Sequence, residues 1–131
     1  MMPDLFAALA RLLLTGLFFV SAAGKFISIG GVTATLAARG IPLPMLSGYL
    51  FAALELIGAL SVLLGYKARW GAVILLLLTA GTILISHNFW DMDGLDRVRN
   101  QTQALKNLAI MGGLLLLAAR GPGRWAVRAR R

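Results

Sequence analysis

Between Arg69 and His87 the chain carries no charged residue, only "WGAVILLLLTAGTILIS". A helix needs about 20 mostly apolar residues to cross the hydrocarbon core of a bilayer, and this run comes close to that by itself. Three other windows have the same character. We read spans from Leu5 to Ile27, Met45 to Leu64, Ala68 to Ser86 and Ala104 to Ala119. The fourth is the least apolar, with Lys106 and Asn107 near its start; Lys106 can reach the interface by extending its stem. The expected fold class is therefore all-α, a polytopic four-transmembrane-helix bundle in a single domain over residues 1–131.

Composition supports the same class. Hydrophobic residues make up 59% of the chain and charged residues 14%, against about 25% charge in a soluble domain. Mean hydropathy is +0.80. That much apolar surface has no place in water.

The net charge is +8, yet its distribution argues against a nucleic-acid partner. Arg120, Arg124, Arg128, Arg130 and Arg131 all fall in the tail 120–131. A basic tail behind an apolar segment is a topology signal and sits against anionic lipid headgroups. With four spans, both termini share one side. That side holds Arg11, Lys67, Arg69 and the five tail arginines. The other holds Lys25, Arg39, Arg97, Arg99 and Lys106, together with Asp91, Asp93 and Asp96. The positive-inside rule then places both termini in the cytoplasm. The first span also imitates a signal peptide, with Arg11 before the apolar run and Ser21-Ala22-Ala23 after it. We read it as retained in the mature chain.

The loop from Ser28 to Pro44, "SIGGVTATLAARGIPLP", opens on Gly30-Gly31 and closes on Gly40 and two prolines. Between those breakers, Val32 to Arg39 suits a short helix at the membrane interface.

Ionisable groups inside spans carry the functional information, because each costs a few kcal/mol at mid-membrane unless paired or hydrated. Glu55 lies near mid-depth of the second span, within the small-residue stripe Gly48, Ala52, Glu55, Ala59. Small residues mark the packed side of a membrane helix, so Glu55 points into the bundle. Its carboxyl suits either a structural tie between helices or a working site. Lys25 and His87 sit at the outer ends of the first and third spans, and Asn107 starts the fourth at the same level. Lys25, Glu55, His87 and Asn107 could thus line one polar pocket open to the outer leaflet. The plainer alternatives are that Lys25 extends to headgroups and His87 caps its helix. Arg11, two turns into the first span, is expected at anionic lipid. Trp70, Trp90 and Trp125 are expected as interfacial anchors. Thr79 and Ser86 share one face of the third span, where hydroxyls commonly bond their own backbone.

Other chemistry is missing from the pattern. With no cysteine, disulfide exchange, thiolate metal sites and lipoprotein anchoring are excluded within this chain. "DMDG" (91–94) imitates a fragment of a calcium loop, but the remaining ligands are missing, so no metal site is read. There is no nucleophile elbow, phosphate loop, HExxH motif or haem-type histidine pair.

Several segments together carry a resemblance: "SAAGKF" (21–26), "RGIPLP" (39–44), "LELIGALSVLLGYKARWGA" (54–72), "HNFWDMD" (87–93) and "LKNLAIMGGLLLLAARGPGRW" (105–125). In this order they resemble the DoxX family of small four-span bacterial membrane proteins. Many members continue past the last tryptophan with a serine- and aspartate-containing ending, where this chain has "AVRARR". The resemblance implies a four-helix inner-membrane bundle with cytoplasmic termini and a link to quinone-reducing or oxidative-stress systems. It carries over no catalytic residues. The expected function is an accessory membrane subunit that binds a lipophilic, quinone-like molecule and serves a redox partner protein. The alternatives are a small-molecule or proton-coupled transporter, which with so few spans implies a homo-oligomer, and a non-catalytic assembly scaffold.

Overall fold

The computed structural model describes residues 2–127. Among them are five α-helices and no strand: α1 (Met2–Ile27), α2 (Ile29–Ala38), α3 (Pro44–Leu64), α4 (Ala68–Ser86) and α5 (Gly94–Arg120). A 3-10 turn, Phe89–Asp91, precedes α5. α1, α3 and α5 are each long and apolar enough to cross a membrane, as is α4 taken together with that turn. Their outer faces carry large apolar side chains such as Leu13, Val20 and Leu77, each more than half exposed. Lipid is the natural cover for such faces. The molecule is an all-α polytopic membrane protein.

α3 is the hub. It packs against α1, α2 and α4, while α5 packs on α4 and brings Gly113 close to Leu14 of α1. Its buried face comprises Gly48, Ala52, Glu55, Gly58, Ala59 and Val62, and the two glycines there serve different neighbours. A Cβ at Gly48 would come within 3.1 Å of Ile29 and 3.2 Å of Val32, so the bare backbone is what lets α2 lie against α3. Gly58 faces Gly71 of α4. A Cβ at Gly71 would lie 2.7 Å from Ser61 Oγ and 2.9 Å from the Gly58 carbonyl. Here the helices touch backbone to backbone, the close approach that small residues permit in membranes. Phe18, Ala59, Val62, Leu75 and Leu114 fill the core beside this crossing.

The end that carries the termini is closed by Arg11, and here the sequence expectation is corrected. Arg11 does not extend to lipid; it is buried, 4% exposed. One guanidinium nitrogen, Nη1, donates to the Leu63 carbonyl at 2.9 Å, and Nη2 donates to the Trp125 carbonyl. The last carbonyls of a helix lack intrahelical partners, and the planar fork of a guanidinium can serve two acceptors at once. Residues 121–127 fold back beneath the bundle, with the Val127 N–H donating to the Leu64 carbonyl at 2.8 Å. The Arg124 N–H donates to Asp4 Oδ1 at 3.1 Å. Gly65 makes the turn with φ of +79°, and a Cβ there would lie 2.7 Å from Arg11 Nη1. Arg128, Arg130 and Arg131 lie outside the described residues.

Two boundaries also differ from expectation. Gly30-Gly31 does not break the chain before Val32; α2 begins at Ile29 and ends at Ala38. Glycine costs about 1 kcal/mol in a helix interior, but both glycines lie in the first turn, and Ile29 is held against Gly48. α5 begins at Gly94 rather than Ala104. At 1.5 Å per residue it is about 40 Å long, longer than the roughly 30 Å hydrocarbon core. Its polar opening, "GLDRVRNQTQ", continues the helix beyond the apolar zone.

Candidate functional site

At the end opposite the termini, four helices bring polar groups to a partly enclosed cavity of about 140 Å³. Among these are Lys25 from α1, Glu55 from α3, His87 at the end of α4 and Asn107 from α5. The structure therefore gathers all four residues that the sequence proposed. Leu17, Phe18, Phe51, Leu78 and Ile110 supply apolar wall.

Glu55 lies about 16 Å along α3 from its start at Pro44, near mid-depth of a bilayer core. Lys25 meets it there. The ammonium donates to Glu55 Oε2 at 2.7 Å and to Ser21 Oγ at 2.6 Å. The lysine stem runs into the bundle rather than out to headgroups. The side chains are 21% and 7% exposed, so little water screens the pair, and each charge needs the other. An ammonium has three donors; the third is unused among the described residues, as is Glu55 Oε1.

His87 fits the capping expectation and has a second role as well. Its backbone N–H donates to the Ile83 carbonyl at 3.1 Å and closes α4. Its ring Nδ1 lies 2.9 Å from Asn100 Oδ1. Asn100 Nδ2 donates to the Asp96 carbonyl at 2.9 Å, which turns Oδ1 towards the imidazole. Oδ1 can only accept, so Nδ1 is the donor, and Nε2 has no partner among the described residues.

Asn107 is 8% exposed and makes no side-chain hydrogen bond among the described residues. Its amide is not sealed in protein but lines the cavity. An amide open to a cavity with no partner in the chain is free to bond a molecule that enters it. Thr79 and Thr82 also line the wall, but their hydroxyls donate to Leu75 and Leu78 in their own helix. Lys106 reaches the rim and donates to Gln103 Oε1 at 2.5 Å.

The sequence reading missed three neighbours of this site. Ser21 was legible, one helical turn before Lys25 on the same face. Asn100 was not, because its part of α5 lies outside any apolar window. Asn88, 4% exposed, accepts from Arg39 Nη2 at 2.5 Å and donates to Asp91 Oδ2 at 3.2 Å. That chain fastens the end of α2 to the turn after α4. Trp70 and Trp125 are exposed at the end with the termini, and Trp90 is exposed at the cavity end, its ring edge-on to Phe89.

Helices, exposed apolar faces and an internal charged pair together define a small multi-pass membrane protein with a polar cavity in its bundle. The DoxX family model matches residues 6–88, and the chain belongs to that family. It is 34% identical over 115 residues to the inner membrane protein YphA of Escherichia coli (strain K12), covering 88% of this chain and 82% of the relative. It is also 34% identical over 126 residues to the inner membrane protein YqjF of the same organism, covering 96% and 92%. No solved structure matches it. The protein is an integral inner-membrane protein of the DoxX family.

Proposed function

We propose that this protein is an accessory membrane subunit whose cavity binds the ring of a lipophilic, quinone-like molecule and presents it to a redox partner protein. The observation that carries this reading is the Asn107 amide, unpartnered among the described residues and lining the same cavity as the Lys25–Glu55 pair. A quinone ring needs an apolar slot with donors at its carbonyls. Asn107 Nδ2 and the third N–H of Lys25 supply those donors. The reduced form needs acceptors for its hydroxyls, which Glu55 Oε1 and His87 Nε2 supply. The Asn107 amide, open to the cavity with no partner among the described residues, favours a binding site over the scaffold alternative. The test is mass spectrometry of lipophiles extracted from the purified protein. A quinone is expected in an amount comparable with the protein, and extracts containing phospholipid alone would overturn the proposal.

In the same reading the end with the termini faces the cytoplasm. Support comes from the basic residues there, Lys67, Arg69, Arg120 and Arg124 among the described ones. Trp70, Trp90 and Trp125 act as interfacial anchors, and the tail arginines sit on anionic headgroups. A reporter active only in the cytoplasm, fused after Arg131, is expected to report activity; activity only from a periplasmic reporter would reverse the orientation.

A further inference from the structure

A second cavity adjoins the first, larger and lined mostly by apolar surface, at about 410 Å³. α2 forms one side of it through Gly31, Val32, Thr35 and Leu36, and the end of α4 forms another through Ile85 and Ser86. Lys25, Phe51 and Thr82 belong to the walls of both cavities. α2 is held in place over this space. Ile29, Val32 and Leu36 pack on Gly48 of α3, and Arg39 fastens the far end to Asn88.

Size separates the roles of the two cavities. Sites for small molecules commonly measure about 300–1,000 Å³. The polar cavity, at about 140 Å³, has room for a ring or head but not for a chain. The second cavity falls within the usual range and offers few polar partners. A mostly apolar groove of this size gains dispersion contacts when hydrocarbon fills it. The hydrocarbon best placed to do so is the one joined to a head held at Lys25, since that residue borders both spaces. We infer that the space beneath α2 is a binding site for the alkyl or isoprenoid chain of the molecule whose head occupies the polar cavity. This rests on the reading of the polar cavity given above. It assigns α2 the job of choosing ligands by their tails, while Lys25, Glu55, His87 and Asn107 choose them by their heads. The chain leaves bilayer rather than water when it enters, so selectivity comes from packing and not from the hydrophobic effect.

The test compares a methoxy-substituted benzoquinone bearing a decyl chain with the same ring bearing only methyl. Both are titrated into the purified protein and into Gly31→Trp in one detergent. Comparing variant with wild type for each probe cancels the partitioning of that probe into micelles. A Cβ at Gly31 meets no atom within 4 Å, so the new side chain starts into open space. Thr35→Trp, one turn along α2, repeats the test at a residue whose hydroxyl bonds only the Gly31 carbonyl of its own helix. In both variants the decyl probe is expected to weaken about tenfold, a loss of about 1.4 kcal/mol, while the methyl probe binds as to wild type. Unchanged decyl binding in both variants, beside normal ring binding, overturns the tail site and leaves the head site standing. Failure of wild type to bind either probe overturns the head site and the tail site together.

Discussion

Arg11 and Lys25 are both cations inside α1, and the bundle uses them in opposite ways. Arg11 is committed through its two terminal nitrogens to acceptors in its own chain, the carbonyls of Leu63 and Trp125, with Nε buried and unpaired. Lys25 keeps a donor in reserve beside Glu55. Hydropathy could locate both residues in depth, and it correctly set Lys25 within reach of Glu55. It could not see the partners of Arg11, which are 52 and 114 residues away in sequence. Lysine cannot span two carbonyls as a guanidinium does. Arg11→Lys is therefore expected to destabilise the protein by about 1–3 kcal/mol and to expose the bond after Arg124 to trypsin. Thermal unfolding in detergent and limited proteolysis measure the two effects. An unchanged Tm together with a protected tail would show that the clamp contributes nothing.

At the scale of elements, the four spans were legible because a bilayer imposes a length and a polarity on whatever crosses it. The helices themselves were less legible, since a hydropathy window measures the membrane and not the helix. α5 illustrates this. Its first ten residues contain Asp96, Arg97 and Arg99 and fall outside any apolar window, yet they continue the helix and carry Asn100 to His87. α2 illustrates a second limit. Gly30-Gly31 reads as a breaker when only local preference is weighed, whereas the outcome is decided by Ile29 and Val32 meeting Gly48 on another helix. The stripe through Gly48, Ala52, Glu55 and Ala59 was correctly read as the packed face of α3. Its division of labour was hidden: Gly48 admits α2, and Glu55 faces the cavity.

The whole molecule joins a sealed end to a hollow one. Beneath the bundle, residues 121–127 and Arg11 close the space between the helix ends. At the other end, the room between the four spanning helices holds polar groups from each of them. The sequence showed which residues would reach that level. It could not show that the Asn107 amide would line the cavity without a partner among the described residues, because that depends on how all four helices pack. The central claim is that the Lys25–Glu55 pair belongs to a binding site and is not merely a tie between α1 and α3. The most direct measurement is the affinity of Glu55→Gln for the decyl benzoquinone, taken beside its Tm. The amide keeps an acceptor for Lys25, and Lys25 can extend to the interface, so the fold should survive with only a modest fall in Tm. Affinity should drop about tenfold or more, since a charge-assisted contact that positions the ammonium is gone. A variant that loses stability but binds the quinone as tightly as wild type would contradict the account and leave the pair a structural tie.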